Sequence, residues 1–207
     1  MVTFRAEVQD YDPTDLLDTA GGVGWNLDPS RAAVLVHDMQ PYYLQVLPAR
    51  VRNKVVDAAT AVAQWATRQG APLLASGPRP AEDLAQRGLG GRLWGQGPTP
   101  EEASQTAVPG LQASGVTKIQ KRSYSAFYGT DLEVELRRTN RTQLVVVGIF
   151  ASGGVLGTAY DALARDLELF VVIEATADYS AAKHRAALDL VASGIGQVVS
   201  LDHVLAS

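Results

Sequence analysis

The run Ala32-Ala33-Val34-Leu35-Val36, which stops at His37-Asp38-Met39-Gln40, constrains the fold more than any other stretch of the chain. Consecutive apolar residues leave no polar face for water, so the run reads as a strand covered on both sides. Such strands belong to parallel sheets sandwiched between helices. In open sheets of that kind, chemistry gathers beyond the carboxyl ends of the strands. Asp38 is therefore the first candidate for a functional side chain. With no cysteine in the chain, any hydrolysis must use acid–base work or water rather than a thiolate.

Strand-like and helix-like periods alternate from residue 31 onward, the pattern of a doubly wound sheet. Six strands are expected near 32–37, 72–76, 117–121, 143–148, 169–174 and 197–200, in one domain spanning 1–207. Val51, Val55, Ala58, Ala59, Val62 and Trp65 recur at three- and four-residue spacing, so a helix packs there through one face, with Gly70 as its stop. A second helix is expected over about 154–165, with Asp161 and Arg165 paired one turn apart, and a third over about 180–193 with Ser180 or Asp178 as cap. Residues 1–30 show no sustained period and are expected to wrap the domain as an arm. Residues 77–116, rich in Gly, Pro and Gln, form a connection far longer than usual; such loops are generally either functional or disordered, and a functional loop is expected here. Within it, Arg87 and Trp94 stand where a pocket at the sheet edge would want a lid.

Eighteen basic against 22 acidic side chains, with no basic cluster interleaved with aromatics, argue against nucleic acid as a partner. No stretch approaches the ~20 apolar residues that span a bilayer, and Met1 to Ala20 lacks the layout of a signal peptide, so a cytoplasmic protein is expected. His37, His184 and His203 form no metal-ligand spacing, so no metal site is expected. Strand alternation turns His37 away from Asp38 and makes it a buried structural imidazole.

A right-handed doubly wound sheet of order 3-2-1-4-5-6 opens its crevice between the first and fourth strands. Asp38 ends the one and Ala151-Ser152-Gly153-Gly154 follows the other, with the next helix's first N–H groups offering an anion site. Lys121, closing the third strand, can reach the same space.

His37-Asp38-Met39-Gln40, Lys121 with Tyr124-Ser125-Ala126-Phe127, Asp131-Leu132, Gly148, Gly154-Val155, and Ala177-Asp178-Tyr179-Ser180 followed by His184 resemble the isochorismatase-like hydrolases over nearly the whole length. Gln86-Arg87-Gly88-Leu89 with Trp94, and Trp25-Asn26-Leu27, are most similar to the family's phenazine-pathway branch, the 2-amino-2-deoxyisochorismate hydrolases. The family's amidase branch carries a nucleophilic Cys at the position matching Gly154. The resemblance implies a three-layer α/β/α domain with a six-stranded parallel sheet, a homodimer, no cofactor, and cleavage of an enolpyruvyl vinyl ether to pyruvate and a dihydro-aromatic acid.

A vinyl ether hydrolyses when its CH₂ carbon takes a proton and water captures the oxocarbenium ion, so an acid is needed and no nucleophile is. Asp38 is the expected acid, although at a pKa of ~3.9 only about one carboxyl in a thousand is protonated at neutral pH. Apolar walls from Val36, Phe127 and Phe150 are expected to raise that fraction, while Lys121 works in the opposite sense and is assigned to orientation and charge balance. Arg87 is the expected clamp for a substrate carboxylate. Trp94, Phe150, Ser152, Gly153, Gly154, Gln40, Tyr43 and Phe127 complete the expected binding set.

The chain departs from the branch pattern at Gly77, which stands for a Gln, at Phe150-Ala151-Ser152, which stands for Tyr-Ala-His, and at Lys121-Arg122-Ser123-Tyr124, which stands for Lys-Trp-Arg-Tyr. Each lost polar group removes a hydrogen bond worth ~0.5–1.5 kcal/mol. Isochorismate or a related chorismate-derived ether is the alternative substrate. A non-catalytic binding or assembly subunit, and an amidase using activated water, are the rival classes.

Overall fold

The computed structural model describes residues 6–111 and 115–207. Residues 1–5 of the expected arm and 112–114 of the expected long connection lie outside the described residues. A seven-stranded sheet carries the fold. Its strands are β1 (Gly21–Gly22), β2 (Ala32–His37), β3 (Leu73–Pro78), β4 (Thr117–Lys121), β5 (Gln143–Ile149), β6 (Glu168–Ala177) and β7 (Gln197–Val199). The order β1-β7-β6-β5-β2-β3-β4 contains the expected 3-2-1-4-5-6 arrangement of six parallel strands. The expected six-stranded sheet is corrected by one strand: Gly21-Gly22 of the arm pairs antiparallel with β7. Two glycines carry no strand period, which is why the sequence pattern misses them.

The helices are α1 (Pro41–Leu44), α2 (Ala49–Gln69), α3 (Leu84–Arg87), α4 (Leu89–Trp94), α5 (Pro100–Ser104), α6 (Leu132–Arg138), α7 (Leu156–Leu163), α8 (Ala181–Ala192) and α9 (Leu201–Leu205). In α2, Val51, Val55, Ala58, Ala59, Val62 and Trp65 are all buried, and Gly70 ends the helix in the left-handed conformation that lacks a Cβ clash. Asp161 and Arg165 pair at 2.8 Å as expected. Ser180 caps α8 by accepting from the Lys183 N–H. The long connection holds α3, α4 and α5, none longer than 6 residues, too short to show a period.

β2 and β5 are buried along their whole length and pair in register from Ala32–Gln143 to His37–Gly148. Winding reverses between them, so their carboxyl ends open the expected crevice. The arm is bolted on beneath it. The Asp178 N–H donates to the Tyr11 hydroxyl at 2.9 Å, and the hydroxyl lies 3.1 Å from His184 Nδ1. His184 Nε2 lies 2.9 Å from Thr176 Oγ1, which donates to the Val172 carbonyl at 2.9 Å. A neutral imidazole protonated on Nε2 satisfies every step of this chain. Burial accordingly lowers the His184 pKa to about 3.

Candidate active site

A cavity of about 480 Å³ lies over the carboxyl ends of β2, β4 and β5 and under α3 and α4. Asp38 forms its floor. The residue adopts φ 53°, a left-handed conformation uncommon for a side chain larger than glycine, so strand alternation ends at His37. The expected separation of the two side chains therefore fails: His37 Nδ1 lies 3.6 Å from Asp38 Oδ2. The imidazole is otherwise the buried structural group expected, within 3.1 Å of the Ile149 carbonyl and 3.3 Å of the Tyr124 carbonyl. Burial lowers its pKa to about 4.

Lys121 reaches Asp38 from the sheet edge. Its ammonium donates to Asp38 Oδ2 at 2.7 Å and to the Ser123 carbonyl at 2.9 Å, while the Ser76 hydroxyl donates to Asp38 Oδ1 at 2.9 Å. Burial by itself pushes the Asp38 carboxyl up, as expected. The Lys121 ammonium, the neighbouring imidazole when charged, and the two hydrogen bonds outweigh it and hold the carboxyl below its ordinary value. The unliganded floor is thus a carboxylate in an ion pair.

Gly154 contributes by what it lacks. A Cβ there would fall 2.1 Å from His37 Cε1, so the imidazole fills the volume that any side chain at 154 would need. The turn carrying it, Ala151–Val155, is π-helical, a wide coil common at functional sites. Two of the N–H groups beside the expected anion site are engaged within the protein. The Ser152 N–H donates to the Asp178 carboxylate, and the Gly153 N–H to the Phe150 carbonyl at 3.0 Å.

Aromatic rings wall the cavity. Phe150 stacks on Tyr179 at 4.3 Å, and Trp94 meets Tyr124 edge-on at 5.4 Å. Lys183 lies 4.9 Å over the Tyr179 ring, whose own hydroxyl burial pushes up to about 12. Arg87 hangs from the lid with Nη1 donating to the Gln96 carbonyl at 3.1 Å, its guanidinium occupying the space above Gly97. Its Nε is buried with no hydrogen-bond partner among the described residues. Tyr43 stands between the lid and the floor. Burial and the Asp38 charge push its hydroxyl up, and contact with Arg87 opposes that rise.

Of the expected site residues, Asp38, Lys121, Arg87, Trp94, Phe150, Ser152, Gly153, Gly154 and Tyr43 line this one cavity. Gln40 and Phe127 do not, and both are corrected. Gln40 turns under β3, donating from Nε2 to the Ser76 carbonyl at 3.0 Å. Phe127 is buried in the core with the Arg165 guanidinium 4.8 Å over its ring, and Val36 is likewise core rather than wall. Arg79, Arg122, Tyr124, Tyr179 and Lys183 also line the cavity. Tyr179 was legible, since it follows the end of the fifth expected strand beside the crevice. Ser76, a lone polar side chain ending the second, carries the same kind of signal.

Asp38 is the one carboxylate among the described lining residues, against Arg79, Arg87, Lys121, Arg122 and Lys183, so the cavity suits an anionic ligand. Among the described residues no cluster of three His, Asp or Glu side chains could hold a metal ion.

The Isochorismatase domain family model matches residues 32–203. A probable isochorismatase of Pseudomonas chlororaphis is 37% identical over 87% of this chain and 88% of its own length. The phenazine biosynthesis protein PhzD1 of Pseudomonas aeruginosa is 38% identical over the same shares of the two chains. Among solved structures, a cysteine hydrolase from Pseudomonas syringae superposes with a TM-score of 0.77 at 22% identity, covering 89% of this chain and 95% of its own, a likeness of fold.

Proposed function

Because this chain belongs to the isochorismatase family and is a hydrolase of that family, we propose that it cleaves the enolpyruvyl vinyl ether of 2-amino-2-deoxyisochorismate. The products are pyruvate and trans-2,3-dihydro-3-hydroxyanthranilic acid. The observation that carries this reading is the floor of the cavity, a carboxyl group clamped between Lys121 and Ser76 beside a position, Gly154, that has no room for a nucleophile. An acid without a nucleophile suits protonation of an alkene carbon and does not suit acyl transfer.

The free carboxyl is held ionised, so the proton must arrive with the substrate. A ligand bearing two carboxylates neutralises Lys121 and Arg87, expels water and adds like charge near Asp38, and each change raises the carboxyl's proton affinity. Asp38 then protonates the CH₂ carbon, water captures the oxocarbenium ion, and the hemiketal collapses with loss of the ring alcohol. Lys121 orients the enolpyruvyl carboxylate, and Arg87 grips a carboxylate from the lid through its fork of donors. Phe150, Tyr179, Trp94 and Tyr124 supply faces for the ring.

Isochorismate is the second substrate to test, because Phe150 brings no hydroxyl to the cavity wall that would discriminate ring substituents, whereas Gly77 lies behind the floor. A homodimer and a cytoplasmic setting belong to the same reading. Their support is the family together with exposed Tyr128 and Tyr160, and with the finding that no described helix is long and apolar enough to cross a membrane. Light scattering tests the dimer.

Pyruvate release coupled to lactate dehydrogenase tests the activity. Turnover of 2-amino-2-deoxyisochorismate in H₂¹⁸O is expected to leave the ring hydroxyl unlabelled, since water adds to the enolpyruvyl carbon. Label in the ring hydroxyl would mean attack at the ring and defeat the mechanism. No pyruvate from any chorismate-derived ether would favour a non-catalytic subunit, and amide hydrolysis without pyruvate an amidase.

A further inference from the structure

Three residues outside the cavity converge on Asp38 from behind. Ser76 is 1% exposed and is tied to Asp38 twice. Its carbonyl accepts the Asp38 backbone N–H at 3.3 Å, and its hydroxyl donates to Asp38 Oδ1 at 2.9 Å. The same carbonyl accepts a second hydrogen bond, from Gln40 Nε2 at 3.0 Å. That amide lies where a side chain at 77 would start, for a Cβ on Gly77 would come 2.5 Å from Gln40 Nε2. The glycine therefore admits the Gln40 amide, and the amide pins the strand end that carries Ser76.

We propose that Ser76 is a positioning residue for the acid, a buried hydroxyl that fixes the plane of the Asp38 carboxyl and restrains its proton affinity, with Gln40 and Gly77 holding Ser76 in place. The inference rests on the reading of Asp38 as the general acid and extends it to residues that touch no substrate. Lys121 grips Oδ2 at 2.7 Å and Ser76 grips Oδ1, so the side chain is held at both oxygens and cannot rotate without breaking a hydrogen bond. A carboxyl so held presents its remaining lone pairs in one direction. Orientation of that kind is a requirement for proton transfer to carbon.

The other charged or titratable groups around the carboxyl are Lys121 from β4, His37 on its own strand, Tyr43 from α1 and, beyond Tyr43, Arg87 from the lid. None of them is altered by changing Ser76. A hydroxyl that donates to a carboxylate stabilises the charged form, so its removal must raise the proton affinity.

The test is Ser76→Ala, which deletes one oxygen and leaves the backbone carbonyl that binds Gln40. Titration of the Asp38 carboxyl, read by carbon NMR on aspartate-labelled protein with Asp38→Asn for assignment, is expected to shift upward by about tenfold in proton affinity. Ser76→Thr, which retains the hydroxyl, restores the wild-type titration. With substrate, kcat of Ser76→Ala falls several-fold while KM stays within about twofold, and the alkaline limb of kcat, which reports the acid in the substrate complex, moves to higher pH. A purely structural role would lower the thermal midpoint and leave titration and limb in place. An unshifted carboxyl in Ser76→Ala overturns the proposal. A shifted carboxyl in a protein that releases no pyruvate leaves Ser76's hold on Asp38 standing and removes the ether-hydrolase reading instead.

Discussion

The floor of the cavity and its lid are built on opposite terms. The floor is laid by strands with no water on either face, and its polar groups, His37, Ser76, Lys121 and Asp178, are buried among hydrogen-bond partners. The lid is three helices of at most 6 residues whose Leu84, Leu89 and Leu93 face solvent. It is held by polar ties such as Arg122 to the Gln86 and Pro80 carbonyls and Gln96 to the Ala81 carbonyl. Protonating carbon demands a carboxyl fixed in place. Gripping an incoming anion demands reach, and α3 and α4 can supply it by moving on loop timescales.

Acid should expose this contrast most strongly, because the floor and the layer beneath it bury neutral imidazoles. His37 has its pKa lowered from 6.5 to about 4 and His184 from 6.5 to about 3, so the unfolded chain binds protons that the folded one refuses. Their stabilising contribution is complete above pH 6.5 and is lost as pH falls through that value toward the folded pKa values. Each costs up to about 1.4 kcal/mol per pH unit, and Asp38, with its lowered pKa, adds to the loss at the acid end. Denaturant midpoints between pH 7 and 4 measure it. Replacing His184 with Gln should flatten the slope, and a slope unchanged by that replacement would contradict the assignment.

Lys121→Met comes next. It strips the cation from a carboxylate whose side chain is 17% exposed, so stability falls by about 2 to 4 kcal/mol and kcat/KM by about a hundredfold. On the lid side, Arg87→Ala should raise KM roughly tenfold to thirtyfold and leave kcat within about threefold, since a gripping residue binds ground and transition states alike. A kcat loss larger than the KM change would make Arg87 part of the chemistry and blur the division. A pair of glycines compares the two regions by stability alone, and the lid member has the smallest effect of all. Gly154→Ala drives a methyl to 2.1 Å from His37 and should cost about 1–3 kcal/mol, whereas Gly90→Ala meets nothing closer than 3.6 Å and should stay within about 0.5 kcal/mol. Equal melting shifts for the two would mean the floor is as soft as the lid.

The same contrast decides what could be read from the sequence. Strands β2 and β5 announce themselves because residues buried on both faces must be apolar, and their order followed from the handedness of crossovers. Lys121 and Asp38 were legible as strand ends. Gln40 and Phe127 were misplaced because both follow breaks in regular structure, where neighbours in sequence turn to different sides. His37 was misplaced for a related reason: alternation assumes extended backbone, and Asp38 at φ 53° is not extended. Helix α6 and the lid helices span too few turns to show a period. Ser76 stands at a strand end, yet a serine there is ordinary until the carboxyl it meets is known.

The central claim is that a neutral Asp38 delivers the proton, and single-turnover release of pyruvate by Asp38→Asn tests it most directly. Asn keeps the shape, and its one carbonyl oxygen can still accept from Lys121 while its amide N–H turns to donate to the Ser76 hydroxyl, yet it has no acidic proton. The account predicts a rate lower by about a thousandfold or more with substrate affinity within a few-fold of wild type. Release within about tenfold of the wild-type rate would contradict it.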